Sequence, residues 1–145
     1  RRVYGIIIGE ATAEQIKEEV GSAFKSKVVK KNEFRGRAVA TGLPQSFEIT
    51  NNEILEALSE PLGMIINCLR TALEQTPPEL SSDIAQNGLV VTGGGALLEG
   101  VDKLINNQTH LPVSIADDPL TCVARGGGLA LEMINQLDMG FLAAE

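Results

Sequence analysis

Apolar residues recur at helical spacing in three stretches of the chain. The longest runs Ile54, Leu55, Leu58, Leu62, Ile65, Ile66, Leu69, Ala72 and Leu73, and predicts one helix from about residue 51 to the Thr76-Pro77-Pro78 break. Asn51 or Asn52 stands where a cap is needed, and Pro61 inside the pattern predicts a kink. A shorter stripe of Ile16, Val20, Ala23 and Phe24 follows Thr12-Ala13-Glu14-Gln15, which has the form of a capping box, so a helix is predicted over 12–23. The third stripe, Leu120, Val123, Ala124, Leu129, Ala130, Met133 and Ile134, predicts a last helix capped by Asp118 and opened by Pro119. Residues 27–50 lose the helical period. There Val28, Phe34, Val39, Phe47 and Ile49 alternate with charged and turn residues, which predicts two or three short antiparallel strands. Beyond the central helix the pattern predicts a short helix from Pro78 to Gln86 and a strand over 89–92. A glycine turn comes next, then a helix to about Asn107 and a strand over 112–116. Residues 137–145 read as a frayed tail. The β-α-β-α order of the second part indicates an α/β layer.

Charge divides the chain where the pattern changes. Residues 1–50 hold nine Lys/Arg and six Asp/Glu, a balance of +3, and residues 51–145 hold three and thirteen, a balance of −10. Two units with different surfaces are expected, one of residues 1–50 and one of residues 51–145. The net charge of −7 argues against a nucleic-acid partner, which usually meets a basic footprint. With 43% apolar residues, 3% aromatics and no Trp, the core must be aliphatic. Cys68 and Cys122 lack metal-type spacing and read as buried small hydrophobes in a reducing compartment. The single His110 gives no zinc cluster. No apolar run approaches the about 20 residues needed to span a bilayer, and no signal-peptide pattern is present, so a cytoplasmic location is expected.

The segment Val90-Val91-Thr92-Gly93-Gly94-Gly95-Ala96-Leu97-Leu98 carries the chemistry. A β-branched run ends in bare glycine backbone and turns into a helical pattern. Glycine allows positive φ and close approach, and the helix after it would aim its free N–H groups and positive end at an anion such as phosphate. A Rossmann-type dinucleotide site is one reading: Gly93 and Gly95 fit the first two glycines of the fingerprint, and Asp117 stands at the end of the next strand as a ribose-binding acid. Leu98 occupies the third glycine position, against that reading. A tight strand–helix turn without ligand is another.

Longer strings carry a family resemblance. Gly93-Gly94-Gly95-Ala96 with its flanks resembles the adenosine motif of the actin, Hsp70 and sugar-kinase superfamily. Gly9-Glu10-Ala11-Thr12-Ala13-Glu14-Gln15-Ile16-Lys17, Arg35-Gly36-Arg37, Thr41-Gly42-Leu43-Pro44, Leu73-Glu74-Gln75-Thr76-Pro77-Pro78-Glu79-Leu80 and Asp118-Pro119-Leu120-Thr121-Cys122-Val123-Ala124-Arg125-Gly126-Gly127-Gly128 resemble the MreB family of bacterial actin-like proteins, which determine rod shape. The resemblance runs from about residue 1 to 136. It implies an α/β fold: an incomplete actin-like (ribonuclease H-like) inner subdomain with a small α+β outer subdomain. The phosphate loops, the residues that orient the attacking water, the magnesium ligands and the membrane-binding segment of the family precede the matched part.

The resemblance also implies a function. The parent would bind ATP with magnesium and polymerise head to tail with itself. As cytoplasmic filaments beneath the inner membrane it would guide cell-wall synthesis, with a RodZ-like membrane protein and the wall-elongation machinery as partners. This chain would carry only the adenosine side of the site and be inactive alone. Adenine would rest on the backbone of Gly93, Gly94, Gly95 and Ala96, and Glu14, Lys17 and, more weakly, Glu18 would contact ribose and base. By themselves Glu14 and Lys17 read as an i,i+3 ion pair on an exposed helix. No catalytic set and no metal site is expected within the chain. Gly126-Gly127-Gly128 interrupts a helical pattern at about 1 kcal/mol per glycine. It implies either a close neighbour, as in the family's second connecting motif at the hinge, or a loop between two helices. The run from Lys25 to Arg37, with six cations and one anion, reads as a solvated hairpin face or as a basic surface meeting an acidic neighbour in the filament. A protein-interaction module without nucleotide remains the other reading, beside the dinucleotide unit.

Overall fold

The longest apolar stripe becomes the longest helix and the member around which the rest is built. In the computed structural model, which describes residues 1–133, the chain forms β1 (Ile6–Ile7), α1 (Glu10–Val20), β2 (Lys31–Ala38), β3 (Pro44–Thr50), α2 (Asn51–Glu74), α3 (Pro78–Asn87), β4 (Leu89–Val91), α4 (Val101–Thr109), β5 (Val113–Ile115) and α5 (Cys122–Glu132). A 3-10 turn, Gly94–Leu97, separates β4 from α4. The expected tail at 137–145 lies outside the described residues.

The first sheet is antiparallel in the order β1-β2-β3, with Phe34 opposite Phe47 and Ile6 opposite Ala38. Its inner face, with α1, forms one cluster of Ile16, Val20, Phe34 and Ile54. β4 and β5 pair in parallel, with α4 as the crossover between them. A second cluster of Ala23, Leu62, Ile66, Val101 and Ile105 lies where α2 and α4 meet that pair, with Leu89, Val91 and Val113 packed on it. α2 serves both: Ile54 belongs to the first, Leu62 and Ile66 to the second, and Leu58 touches each. The units expected from charge therefore share one helix.

The caps differ from expectation for local reasons. α1 starts at Glu10 behind Gly9, which makes no side-chain cap; Thr12 lies inside the helix, and Gln15 bonds Glu19 instead. α2 is capped by Thr50, not by Asn51 or Asn52. Thr50 Oγ1 accepts from the Glu53 N–H, and Glu53 Oε2 accepts from the Thr50 N–H at 2.8 Å, a complete capping box. Asn51 is 2% exposed and otherwise employed: its Nδ2 donates to the Val28 carbonyl at 3.0 Å and its Oδ1 accepts from the Lys30 N–H. α2 continues unbroken through Pro61. Cys68 is exposed and Cys122 half-buried, against the expectation of buried thiols.

Candidate functional site

β4 delivers the chain to Gly93, whose φ of +83° is a conformation that side-chain-bearing residues rarely adopt. The turn is pinned by a neighbour: the Gly93 N–H donates to the Pro119 carbonyl at 2.8 Å. In the 3-10 turn after it, the Ala96 N–H donates to the Gly93 carbonyl at 3.1 Å and the Leu98 N–H to the Gly95 carbonyl at 3.2 Å. The first N–H groups of such a turn have no acceptor inside it. Those of Gly94 and Gly95 find none elsewhere among the described residues. Both glycines are exposed. Among the described residues a Cβ on Gly95 would meet nothing within 4 Å, and one on Gly94 only Leu120 Cδ2 at 3.4 Å. The result is a shelf of bare main chain with two free donors. Ala96 is 1% exposed and its N–H is already used, so it supports the shelf from the core side.

The helix after the shelf begins later than the pattern predicts. α4 starts at Val101, behind Gly100 in the left-handed region at φ +78°. A Cβ on Gly100 would stand 2.8 Å from Phe24 Cβ, so the positive end of α4 abuts Phe24 rather than the shelf. The free N–H groups of the 3-10 turn take the role expected of α4. This also separates the site from a dinucleotide fingerprint, in which the helix opens within the glycine loop. Here Leu98, at the third glycine position, packs on the second core cluster and displaces the helix start.

Glu14 and Lys17 line an open groove of about 510 Å³ between α1 and α2, together with Glu10, Ala13 and Ala57 over a floor of Ile16, Ile54 and Leu58. Their side chains pair at 2.6 Å and both are exposed, so the pair itself adds only a few tenths of a kcal/mol. Pro61 has no N–H to offer the Ala57 carbonyl one turn earlier, which leaves an acceptor at the groove edge without its usual helical donor. Glu18 is exposed outside the groove lining. By helical spacing Glu14, Lys17, Glu18 and Gly21 form one stripe along α1. That stripe ends where a Cβ on Gly21 would lie 3.0 Å from Leu98 Cδ1. Shelf and stripe are thus joined end to end through Leu98. Gly94 and Gly95 are not among the residues that line the Glu14–Lys17 groove.

Several participants escape the sequence pattern. The segment 117–121 forms the far wall of the shelf. Asp118 has φ +49° and so cannot be the helix N-cap expected of it; α5 begins at Cys122 behind Thr121. Thr121 Oγ1 donates to Asp118 Oδ2 at 2.6 Å, and Arg125 Nη2 donates to the Asp117 carbonyl at 2.6 Å. These bonds hold the turn that presents the Pro119 carbonyl to Gly93. The Asp117-Asp118-Pro119 string was the available signal: adjacent acids before a proline build turns. Gly126, Gly127 and Gly128 lie in the continuous helix α5, and among the described residues nothing comes within 4 Å of a Cβ placed on any of them. His110 ends α4 in the left-handed region. The basic run is partly neutralised within the chain, Lys30 by Glu99 at 2.5 Å and Lys31 by Glu48 at 3.1 Å.

A small antiparallel sheet with a helix, joined through one long helix to a parallel strand–glycine turn–helix–strand unit, recurs in solved structures. The chain is similar to the crystal structure of MreB5 of Spiroplasma citri bound to ADP, with a TM-score of 0.89 and 38% identity over 94% of this chain and 41% of that one. It shares its fold with the MamK double helical filament, with a TM-score of 0.71 at 22% identity over 94% of this chain and 41% of that one. The architecture is therefore that of part of an actin-like protein. A family model described as MreB/Mbl protein matches residues 1–139, and the chain belongs to that family. It is 58% identical over 135 residues to the cell shape-determining protein MreB of Escherichia coli (strain K12), covering 93% of this chain and 39% of that protein. It spans about two-fifths of the length of the relatives it matches.

Proposed function

We propose that this chain is the adenosine-binding part of a bacterial actin homologue. The parent binds ATP, assembles head to tail into filaments in the cytoplasm beneath the inner membrane, and maintains rod shape by guiding cell-wall synthesis. A RodZ-like membrane protein and the wall-elongation machinery are its partners. The observation that carries the reading is the exposed main-chain shelf at Gly93–Gly95, whose Gly94 and Gly95 N–H groups find no acceptor among the described residues. The ADP-bound relative of the same fold supports it.

The residues fit one part of the cofactor. The Gly94 and Gly95 main chain would support the base, the Glu14 carboxylate would accept from ribose hydroxyls, and the Lys17 stem would cover the adenine edge, with Glu18 one position further round α1. When bound, ATP supplies the phosphoryl group whose hydrolysis regulates filament turnover. The residues that act on the phosphates are not among these. Among the described residues no group of three or more His, Cys, Asp or Glu could hold a metal ion. Phosphoryl transfer needs metal, phosphate cradle and positioned water together; the activity assigned to this chain is binding of the adenosine.

Titration of the chain with ATP, and separately with NADH, tests the reading. ATP should bind weakly and perturb the amide resonances of Gly94 and Gly95. Gly95→Val, which meets open space in the fold, should reduce ATP binding at least tenfold and leave stability almost unchanged. NADH binding would favour the dinucleotide unit. ATP silence combined with capture of a RodZ-like cytoplasmic segment would favour the interaction module.

A further inference from the structure

The exit of the glycine shelf is fastened to the outer unit at a narrow seam. Leu98, Glu99 and Gly100 run beside Gly21, Ser22, Ala23 and Phe24, with Ser22 and Glu99 paired as a parallel bridge. The Glu99 carbonyl accepts from the Ala23 N–H at 2.8 Å; Ser22 Oγ donates to the Phe24 carbonyl at 2.7 Å and lies 3.4 Å from the Glu99 carbonyl. Ser22 is a buried polar residue at 2% exposure. The close approach needs Gly100, where a Cβ would stand 2.8 Å from Phe24 Cβ; a Cβ on Gly21 would collide first with the Lys17 carbonyl and then touch Leu98. The side chain of Glu99 reaches the other way, pairing with Lys30 Nζ at 2.5 Å. Lys30 is fixed in turn, since its carbonyl accepts from the Asn51 N–H at 3.0 Å and its N–H donates to Asn51 Oδ1 at 3.3 Å. One residue, Glu99, therefore closes a ring that links the shelf exit, the end of α1, the basic loop and the start of α2.

We propose that Glu99 is a positioning residue for the nucleotide site: with Ser22 and Lys30 it sets the distance between the Gly93–Gly95 shelf and the Glu14–Lys17 stripe. The inference rests on the adenosine reading above. The spacing of shelf and stripe is set where the two elements join, at Leu98 to Gly100 and Gly21 to Phe24. A ligand gripping both elements is sensitive to that spacing. A ligand resting on the shelf alone is not.

The experiment is a set of ATP titrations of the full chain, with unfolding by urea run in parallel. Glu99→Lys and Lys30→Glu should each weaken ATP about threefold, because like charges would then face each other across the seam. The double exchange should restore affinity to within twofold. Ser22→Ala, which empties the buried end of the seam without adding bulk, should weaken ATP about tenfold. In a Lys17→Ala background Glu99→Lys and Ser22→Ala should have no further effect, since the contact they position is already gone. Equal losses with and without Lys17, or failure of the double exchange to restore binding, would show that the seam only holds the fold and would overturn the proposal while leaving the site intact. Absence of ATP binding by the unsubstituted chain would overturn the site reading and this proposal with it.

Discussion

Glu53 shows how much one side chain can do at the start of a helix. Its carboxylate accepts from the Thr50 N–H, the Thr50 hydroxyl and the Tyr4 hydroxyl. The Tyr4 bond first, then those from Thr50, favour the charged form and lower its pKa below the ordinary carboxylate value; the Tyr4 phenol is raised by the same bond. A carboxyl with a lowered folded pKa stabilises the native state above its unfolded pKa, and that contribution is lost as pH falls through the folded value. Glu53→Gln should therefore be less stable than the parent chain at pH 7, and the gap should narrow as pH drops below about 4.5, the unperturbed value. Urea unfolding at pH 7 and pH 3 measures it, and a gap that stays constant would count against the charged bond network. The same residues show what was legible. Thr50-Asn51-Asn52-Glu53 spells a capping box, but two asparagines beside it compete as caps on sequence alone. Only the fold reveals that Asn51 is committed to Val28 and Lys30. Thr12-Ala13-Glu14-Gln15 spells the box equally well, yet the helix has already begun at Glu10.

Among the elements, long periodic stretches were readable and short contacts were not. α2, α3, β4 and β5 lie within a few residues of where period and proline placed them. β1 has only two residues and no pattern to announce it; it exists because Ile6 and Ile7 pair with Ala38 and Arg37 across the chain. The glycine shelf was legible as bare backbone. Its geometry was not, because the 3-10 turn depends on the Pro119 carbonyl reached through a distant turn. α5 gives the opposite lesson. Its three glycines suggested either a neighbour or a break, and the helix runs through all of them from Cys122 to Glu132. Interior glycine costs about 0.5–1 kcal/mol relative to alanine through backbone entropy. With nothing within 4 Å of a Cβ at Gly127 among the described residues, Gly127→Ala should stabilise the chain by up to about 1 kcal/mol and raise its helical circular dichroism. A loss of stability would mean that a group outside the described residues already approaches that face.

For the whole molecule, charge suggested two units, and packing shows how tightly they are coupled. Ile54 serves the sheet cluster, Leu62 and Ile66 serve the other, and Leu58 touches both. Tyr4 is the only Tyr and the chain has no Trp, so Tyr4 fluorescence reports on the first sheet while helical circular dichroism is dominated by the other helices. The two signals should give coincident melting midpoints. Leu58→Ala should lower both together, by about 1–2 kcal/mol, below the range for a fully buried leucine because Leu58 is half-buried. Midpoints that separate would mean that the units melt independently. The fold class was legible from the family strings, but this coupling was not, since periodicity says which face of a helix is apolar and nothing about how many partners that face meets.

The reach of α2 has a mechanical consequence. At 24 residues and about 1.5 Å per residue it is a strut on the order of 36 Å long, held by hydrophobic packing from Ile54 to Leu69. Tension applied to the β2–β3 hairpin would be delivered along it to α4 and the parallel strands. Under the filament and adenosine reading proposed above, strain between neighbouring copies would then register at the shelf itself, and pulling on the hairpin would work against the purine.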